Sequence, residues 1–190
     1  MDAMNQTAAL GRAVQGDDDA FAMLVQQHSR RVFQLAFRMT RNEQDAEDIV
    51  QESFLRAYRQ LGSFQARADF GTWLYRIVAN CAVDLMRTRH HRVRRQTDAI
   101  DDDTPAAHDQ TPERLARSAE ARRLVESALS DLSALERAAF TLRHHEGRSI
   151  EEVCRILDLG QSAAKHAVFR AVRKLRVTLA PLRLPHGPHS

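Results

Sequence analysis

The chain has 190 residues, 43% hydrophobic and 28% charged, which fits one ordinary domain or two small ones and excludes wholesale disorder. The formal net charge is only +3, yet cations and carboxylates are unevenly distributed, so local asymmetry is the better guide to a polyanionic partner. No apolar run is long enough to span a bilayer, and the N-terminus lacks an apolar stretch behind a basic start, so neither membrane insertion nor a secretory signal is expected.

Gly and Pro are scarce, and the long segments lack β-branched alternation. An all-α fold is therefore expected. Cys81 and Cys154 stand far apart, outside any CxxC pair, which argues against a disulfide framework or a cysteine zinc site. Two isolated thiols suit the cytoplasm.

In chain order, residues 17–19 can cap a first amphipathic helix with Phe21, Leu24, Val25, His28, Val32, Leu35, Ala36 and Met39 at spacings of three and four. Thr40 and Glu43 have capping-box spacing and open a second. Its stripe is Ala46, Val50, Phe54, Ala57, Tyr58 and Leu61, and Gly62 and Ser63 end it. A third helix begins near Asp69 and runs into the arginines at 87, 89, 92, 94 and 95. Phe64, Phe70, Trp73 and Tyr75 precede those cations, a composition that suits stacking of unpaired bases beside phosphates. Helical phase places Phe70, Trp73, Leu74 and Ile77 on one face, so Trp73 reads mainly as core.

Composition then changes. Residues 97–113 carry six carboxylates and two prolines with no Lys or Arg, the signature of a flexible acidic linker. A second helical unit starts near Pro112. Ser133 with Glu136, and Ser149 with Glu152, form two capping boxes. The second opens a short helix, then a turn containing Gly160, then a basic helix with Lys165, Arg170, Arg173, Lys174 and Arg176. Helix, short turn and basic helix make a helix-turn-helix pattern. The organisation read from the sequence is thus two small helical domains, 1–95 and 113–180, joined by a linker at 96–112 and followed by a tail at 181–190.

Nine histidines raise the question of metal, but His90/His91 and His144/His145 are adjacent pairs that do not share a helix face, and HEGRS is not HExxH. Cys154 reads as a small core residue. No metal and no cofactor are expected. No phosphate-binding loop, nucleophile elbow or supported carboxylate pair appears, so the chain reads as non-enzymatic.

DAEDIVQESFLRAYRQLGSF at 45–64, followed by FGTWLYRIVANCAVDLMR at 70–87, resembles the extracytoplasmic-function class of the sigma-70 family, the promoter-recognition subunits of bacterial RNA polymerase. The second half resembles the same family more weakly. The resemblance implies an alternative sigma factor that binds core polymerase, recognises −10 and −35 promoter DNA and promotes strand opening. It implies that the 45–61 helix docks on the clamp helices of the largest subunit through Asp45, Glu47, Asp48, Ile49, Gln51 and Glu52, with Val50 or Phe54 as further apolar candidates. The flap of the second-largest subunit is the implied partner of the other domain. Phe64, Gln65, Arg67, Asp69, Arg76, Asn80, Arg87 and Arg89 are the implied −10 and single-strand contacts. A pocket that stacks a base and bonds its edge would offset a few kcal/mol of unstacking.

The second domain is the implied −35 reader, through Arg148, Ser149, Ser162, Lys165, His166, Arg170, Arg173 and Lys174. Lys165 and His166 would face base edges and the later cations phosphate. Where the family commonly carries Gly-Thr-Val-Lys-Ser-Arg, this chain has Ala163 and Ala167 in place of a hydroxyl and a guanidinium. Loss of that guanidinium, the commonest reader of guanine, points to an unusual −35 sequence or to weaker reliance on that element. The linker would thread a channel of the polymerase, and an anti-sigma factor is the implied regulator. Two other readings stay open: a sigma mimic that titrates an anti-sigma factor, and a helix-turn-helix repressor.

Overall fold

The computed structural model describes residues 2–64, 69–95 and 112–182, with side chains described at 7–64, 69–89, 120–180 and 182. All regular structure among these residues is helical: α1 Asp2–Val14, α2 Asp18–Thr40, α3 Glu43–Gln60, α4 Phe70–Arg95, α5 Pro112–Ser130, α6 Ala134–Phe140, α7 Ile150–Leu157 and α8 Gln161–Thr178. Short 3-10 turns follow α3 (Leu61–Ser63) and α8 (Ala180–Leu182), and a π-helical turn, Thr141–His145, extends α6.

Local chemistry explains most boundaries. Asp17 caps α2, its carboxylate accepting from the Ala20 N–H at 2.9 Å and pairing with Arg12 at 2.7 Å. Both expected capping boxes of the second unit are present, Ser133 with Glu136 and Ser149 with Glu152. The one expected between Thr40 and Glu43 is absent. Thr40 stays inside α2, its hydroxyl donating to the Ala36 carbonyl at 3.0 Å, and Arg41 ends that helix in the left-handed conformation. Asn42 caps α3 instead, accepting from the Asp45 N–H at 2.8 Å. The turn of the helix-turn-helix likewise places its left-handed residue at Asp158 (φ 53°), one of the residue types that tolerates this region, while Gly160 is extended (φ −66°) and precedes α8.

Helices α2, α3 and α4 pack as one unit around Leu24, Leu35, Met39, Phe70, Leu74 and Val78, with α1 against α2. Helices α6, α7 and α8 form the second around Leu142, Val153, Ile156 and Ala164, with α5 lying along α8 through Ala128, Leu132, Ala171 and Leu175. Helix α4 packs against both α6 and α7, so apolar contact runs unbroken from the first unit into the second. That seam positions several of the candidate functional groups.

Candidate nucleic-acid interface

The approach to α4 is an aromatic cluster. Phe64 is half-buried and meets Trp73 at 5.2 Å and Phe70 at 6.0 Å, both edge-on, while Phe70 is 2% exposed. Asp69 is exposed and accepts from the Thr72 N–H at 3.3 Å. Trp73 is half-buried against the core, in line with its helical phase. Gln65, Arg67 and the acidic 96–111 stretch lie outside the described residues. Along α4, Arg76, Asn80 and Arg87 fall in one stripe, Arg76 and Arg87 exposed and Asn80 half-buried.

Arg89 is not free for a phosphate in this arrangement. Its guanidinium pairs at 2.6 Å with Asp45, a candidate polymerase contact that is itself buried. Burial pushes the Asp45 carboxyl up while Arg89 pulls it down, and burial dominates. On α3, Glu47, Asp48 and Gln51 are exposed, and Glu52 pairs with Arg56 at 2.6 Å. Ile49 is 3% exposed and Phe54 7%, so both face the core. The large side chains that share the exposed phase of Glu47, Asp48 and Gln51 are Tyr58, 50% exposed with its hydroxyl donating to Asp18 at 2.7 Å, and the aliphatic Leu55, 45% exposed. Sequence reading passed over Leu55, although counting seven and eight residues on from Asp48 and Glu47 reaches it.

On α8, Ser162, Lys165, His166, Phe169, Arg173 and Arg176 share one outward face. Phe169 is 64% exposed, an aromatic set between cations, and sequence reading had not assigned it a contact. Arg170 and Lys174 lie to one side of this face and are held by Glu136 of α6 at 3.0 and 2.7 Å. Burial would raise the Glu136 carboxyl, but Lys174 and the Ser133 N–H outweigh it and hold it below its ordinary value. Arg148 pairs with Glu152 at 2.9 Å, and Ser149 is occupied as the cap of α7. Ala163 is exposed, whereas Ala167 is 0% exposed, packed in the core. The expectation that a guanidinium is missing from the base-reading face at 167 is therefore corrected: that position points inward here.

These surfaces, an aromatic approach to a basic-ended helix and a helix-turn-helix with a cationic outward face, coincide with two family matches: Sigma-70 region 2 over residues 24–92 and Sigma-70 region 4 over residues 122–175. The ECF RNA polymerase sigma-E factor of Haemophilus influenzae is 33% identical, over 94% of this chain and 97% of that protein. The chain is an ECF sigma factor of the sigma-70 family. CnrH, solved with the cytosolic domain of CnrY, matches this sigma factor with a TM-score of 0.65 and 28% identity over 93% of this chain and 98% of CnrH. The sigma factor RpoE, solved with the anti-sigma factor NepR from Bartonella quintana, shares the fold with a TM-score of 0.62 and 23% identity, over 86% of this chain and 98% of that one. The protein is accordingly an alternative sigma subunit of RNA polymerase.

Within the sigma factor, regions 2 and 4 meet directly. Glu146, just beyond the π-helical turn, accepts from Arg38 of α2 and from the Tyr75 hydroxyl of α4, the latter at 3.2 Å. Gly147, at φ +65°, supplies the left-handed turn after it that returns the chain to α7. Arg148 lies over the Tyr75 ring at 4.9 Å, and Arg137 of α6 donates to the Met39 carbonyl at 3.1 Å. Tyr75 is thus a buried seam residue in this arrangement, 5% exposed. A groove of about 440 Å³ at the same seam is lined by Thr40, Asp45, Arg87, Arg89, Leu132 and Arg137 among others. Among the described residues, no three His, Cys, Asp or Glu gather where they could hold a metal ion, and no helix is long and apolar enough to cross a membrane.

Proposed function

We propose that region 2 of this sigma factor receives the unpaired −10 strand at the approach to α4 and that region 4 reads the −35 element with the outward face of α8. The observation that carries this is the α8 face itself: Lys165, His166, Arg173 and Arg176 surround exposed Phe169 on a helix that opens after a tight turn. Such a face offers base-edge donors near its start, an apolar group at its middle and cations for phosphate further along. On region 2, Phe64 and Asp69 flank the candidate pocket, and the Arg76, Asn80 and Arg87 stripe suits a phosphate track.

Polymerase docking is assigned to the exposed α3 face of Glu47, Asp48, Gln51 and Leu55, where carboxylates rim one apolar contact. Engagement of DNA by Arg89, Arg148, Arg170 and Lys174 requires each to exchange its present carboxylate, Asp45, Glu152 or Glu136, for phosphate. The protein would act by binding alone, with the polymerase doing the chemistry, and would work in the cytoplasm. A regulatory protein partner of the anti-sigma kind is proposed by likeness to CnrH, which was solved with a bound protein domain.

The test is direct. The purified chain is added to core polymerase with a genomic fragment library and transcript starts are mapped. New starts sharing two spaced motifs support the reading. Binding to core with no new starts favours a mimic, and DNA binding without core binding favours a repressor.

A further inference from the structure

His28 is a polar residue on the buried side of α2, between Leu24 and Val32, and is 8% exposed. Its ring meets the ring of Phe70 edge-on at 5.2 Å. Phe70 is the first residue of α4 and touches Phe64 at 6.0 Å and Trp73 at 5.6 Å. The imidazole therefore extends the cluster to which both ends of the 64–70 segment are fastened.

The neighbouring backbone makes the arrangement specific. Asp69 immediately precedes α4, its carboxylate accepting from the Thr72 N–H and its carbonyl from the Trp73 N–H at 3.0 Å. A Cβ at Gly71 would stand 2.9 Å from Asp69 Oδ2 and 3.7 Å from His28 Cε1. Imidazole and carboxylate thus converge on a space that glycine leaves open, and a side chain at 71 would push the carboxylate out of it. Among the described residues, the charged groups acting on His28 include Asp69, from the approach to α4, and Arg31, on its own helix. Burial lowers the His28 pKa, Asp69 raises it and Arg31 lowers it, leaving it below the ordinary imidazole value.

We propose that His28 is a positioning residue for promoter opening: through Asp69 and Phe70 it fixes the point at which the single-strand-binding segment rejoins the helical core. The proposal rests on the assignment of that segment to the −10 strand. It differs from simple core packing, because a phenyl ring would pack on Phe70 equally well but would present no polar ring edge to the space at Gly71 that the Asp69 carboxylate also borders.

The experiment uses complete holoenzyme on a promoter found by start mapping, comparing wild type with His28→Phe, Gly71→Ala, Asp69→Asn and the double variant His28→Phe/Asp69→Asn. Core affinity and permanganate reactivity of the opened strand are read together with Tm. Coupling energies between contacting residues lead us to expect a loss of about fivefold in opening rate for His28→Phe and for Asp69→Asn, with the double variant no worse than either. Gly71→Ala should keep or raise Tm, since alanine favours a helix, and still slow opening. Core affinity should stay unchanged throughout. Wild-type opening by both His28→Phe and Gly71→Ala overturns the proposal, as do fully multiplicative losses in the double variant. A wild-type holoenzyme that binds core and opens no promoter overturns the −10 assignment along with it. Should His28→Phe fail to fold, Gly71→Ala decides alone.

Discussion

The Tyr75 hydroxyl donates a 3.2 Å hydrogen bond to Glu146, tying the middle of α4 to the turn before α7 and so region 2 to region 4. Arg38 reaches the other carboxylate oxygen, and Glu146 keeps only 13% of its side chain exposed. One carboxylate therefore serves a phenol and a guanidinium from two helices of the opposite unit. Tyr75→Phe, which removes one neutral donor, is expected to cost about 1 kcal/mol. Glu146→Ala leaves both donors without their acceptor and is expected to cost about 2–3 kcal/mol. Urea unfolding measures both. The Glu146 variant should also show a larger radius of gyration by X-ray scattering, and an unchanged radius with unchanged stability would mean that this contact does not hold the seam.

Glu136 organises region 4 in a comparable way. It completes the capping box of α6 and binds Arg170 and Lys174. Its folded-state pKa is depressed, so its contribution is fully present above the ordinary value of 4.5 and is lost as pH falls through the lower folded value. Glu136→Gln should lower stability at neutral pH by about 2 kcal/mol and flatten the decline of stability below pH 4.5. Thermal melts from pH 3 to pH 7 check this, and parallel pH profiles for variant and wild type would contradict it.

Phe64 should separate opening from docking. Phe64→Ala removes one ring from the aromatic cluster and an apolar face from the candidate pocket. Given the usual worth of base stacking, promoter opening should fall about tenfold while core affinity stays within about twofold. An unaltered permanganate footprint would remove Phe64 from the pocket.

The α8 face makes two distinguishable demands. Arg173 is exposed and stands in the second half of the recognition helix, so Arg173→Ala should weaken region 4 binding across sequences and reduce the salt slope by about 1. Phe169→Ala should leave the slope intact and relax preference at one or two base pairs, because an apolar group reads thymine methyls and not phosphate. Titrations of a −35 duplex at several salt concentrations separate these outcomes. An unchanged slope for Arg173→Ala would place it off the DNA.

Docking should follow the exposed phase of α3. Leu55→Asp puts a charge where an apolar contact is proposed, without touching the core, and should lower core affinity at least tenfold while stability stays within about 0.5 kcal/mol of wild type. Unchanged affinity would move the docking site elsewhere.

The sequence by itself determined most of the helices and of their inward faces, two capping boxes and the order of the two regions, though it gave no helix for Asp2–Val14 and set Tyr58, 50% exposed, on an inward stripe. These properties are local: apolar spacing and a Ser or Asp before an acidic turn act within a few residues of chain. Thr40 shows the limit even there, since Asn42, two residues on, caps α3 instead. Only the tertiary structure decided which charges remain available. Arg89, Arg170 and Lys174 read identically to Arg87 and Arg173 in the sequence, yet Asp45 and Glu136, 44 and 34 residues distant from Arg89 and Arg170, form ion pairs with the first group alone. It also decided that Ile49 and Ala167 turn inward, that Leu55 and Phe169 turn outward, and that Tyr75 and Glu146 meet. The reason is the same in each case: Coulomb attraction and exclusion of water depend on distance in space, and a helix carries every side chain to a face whose neighbour is set by how the other helices pack.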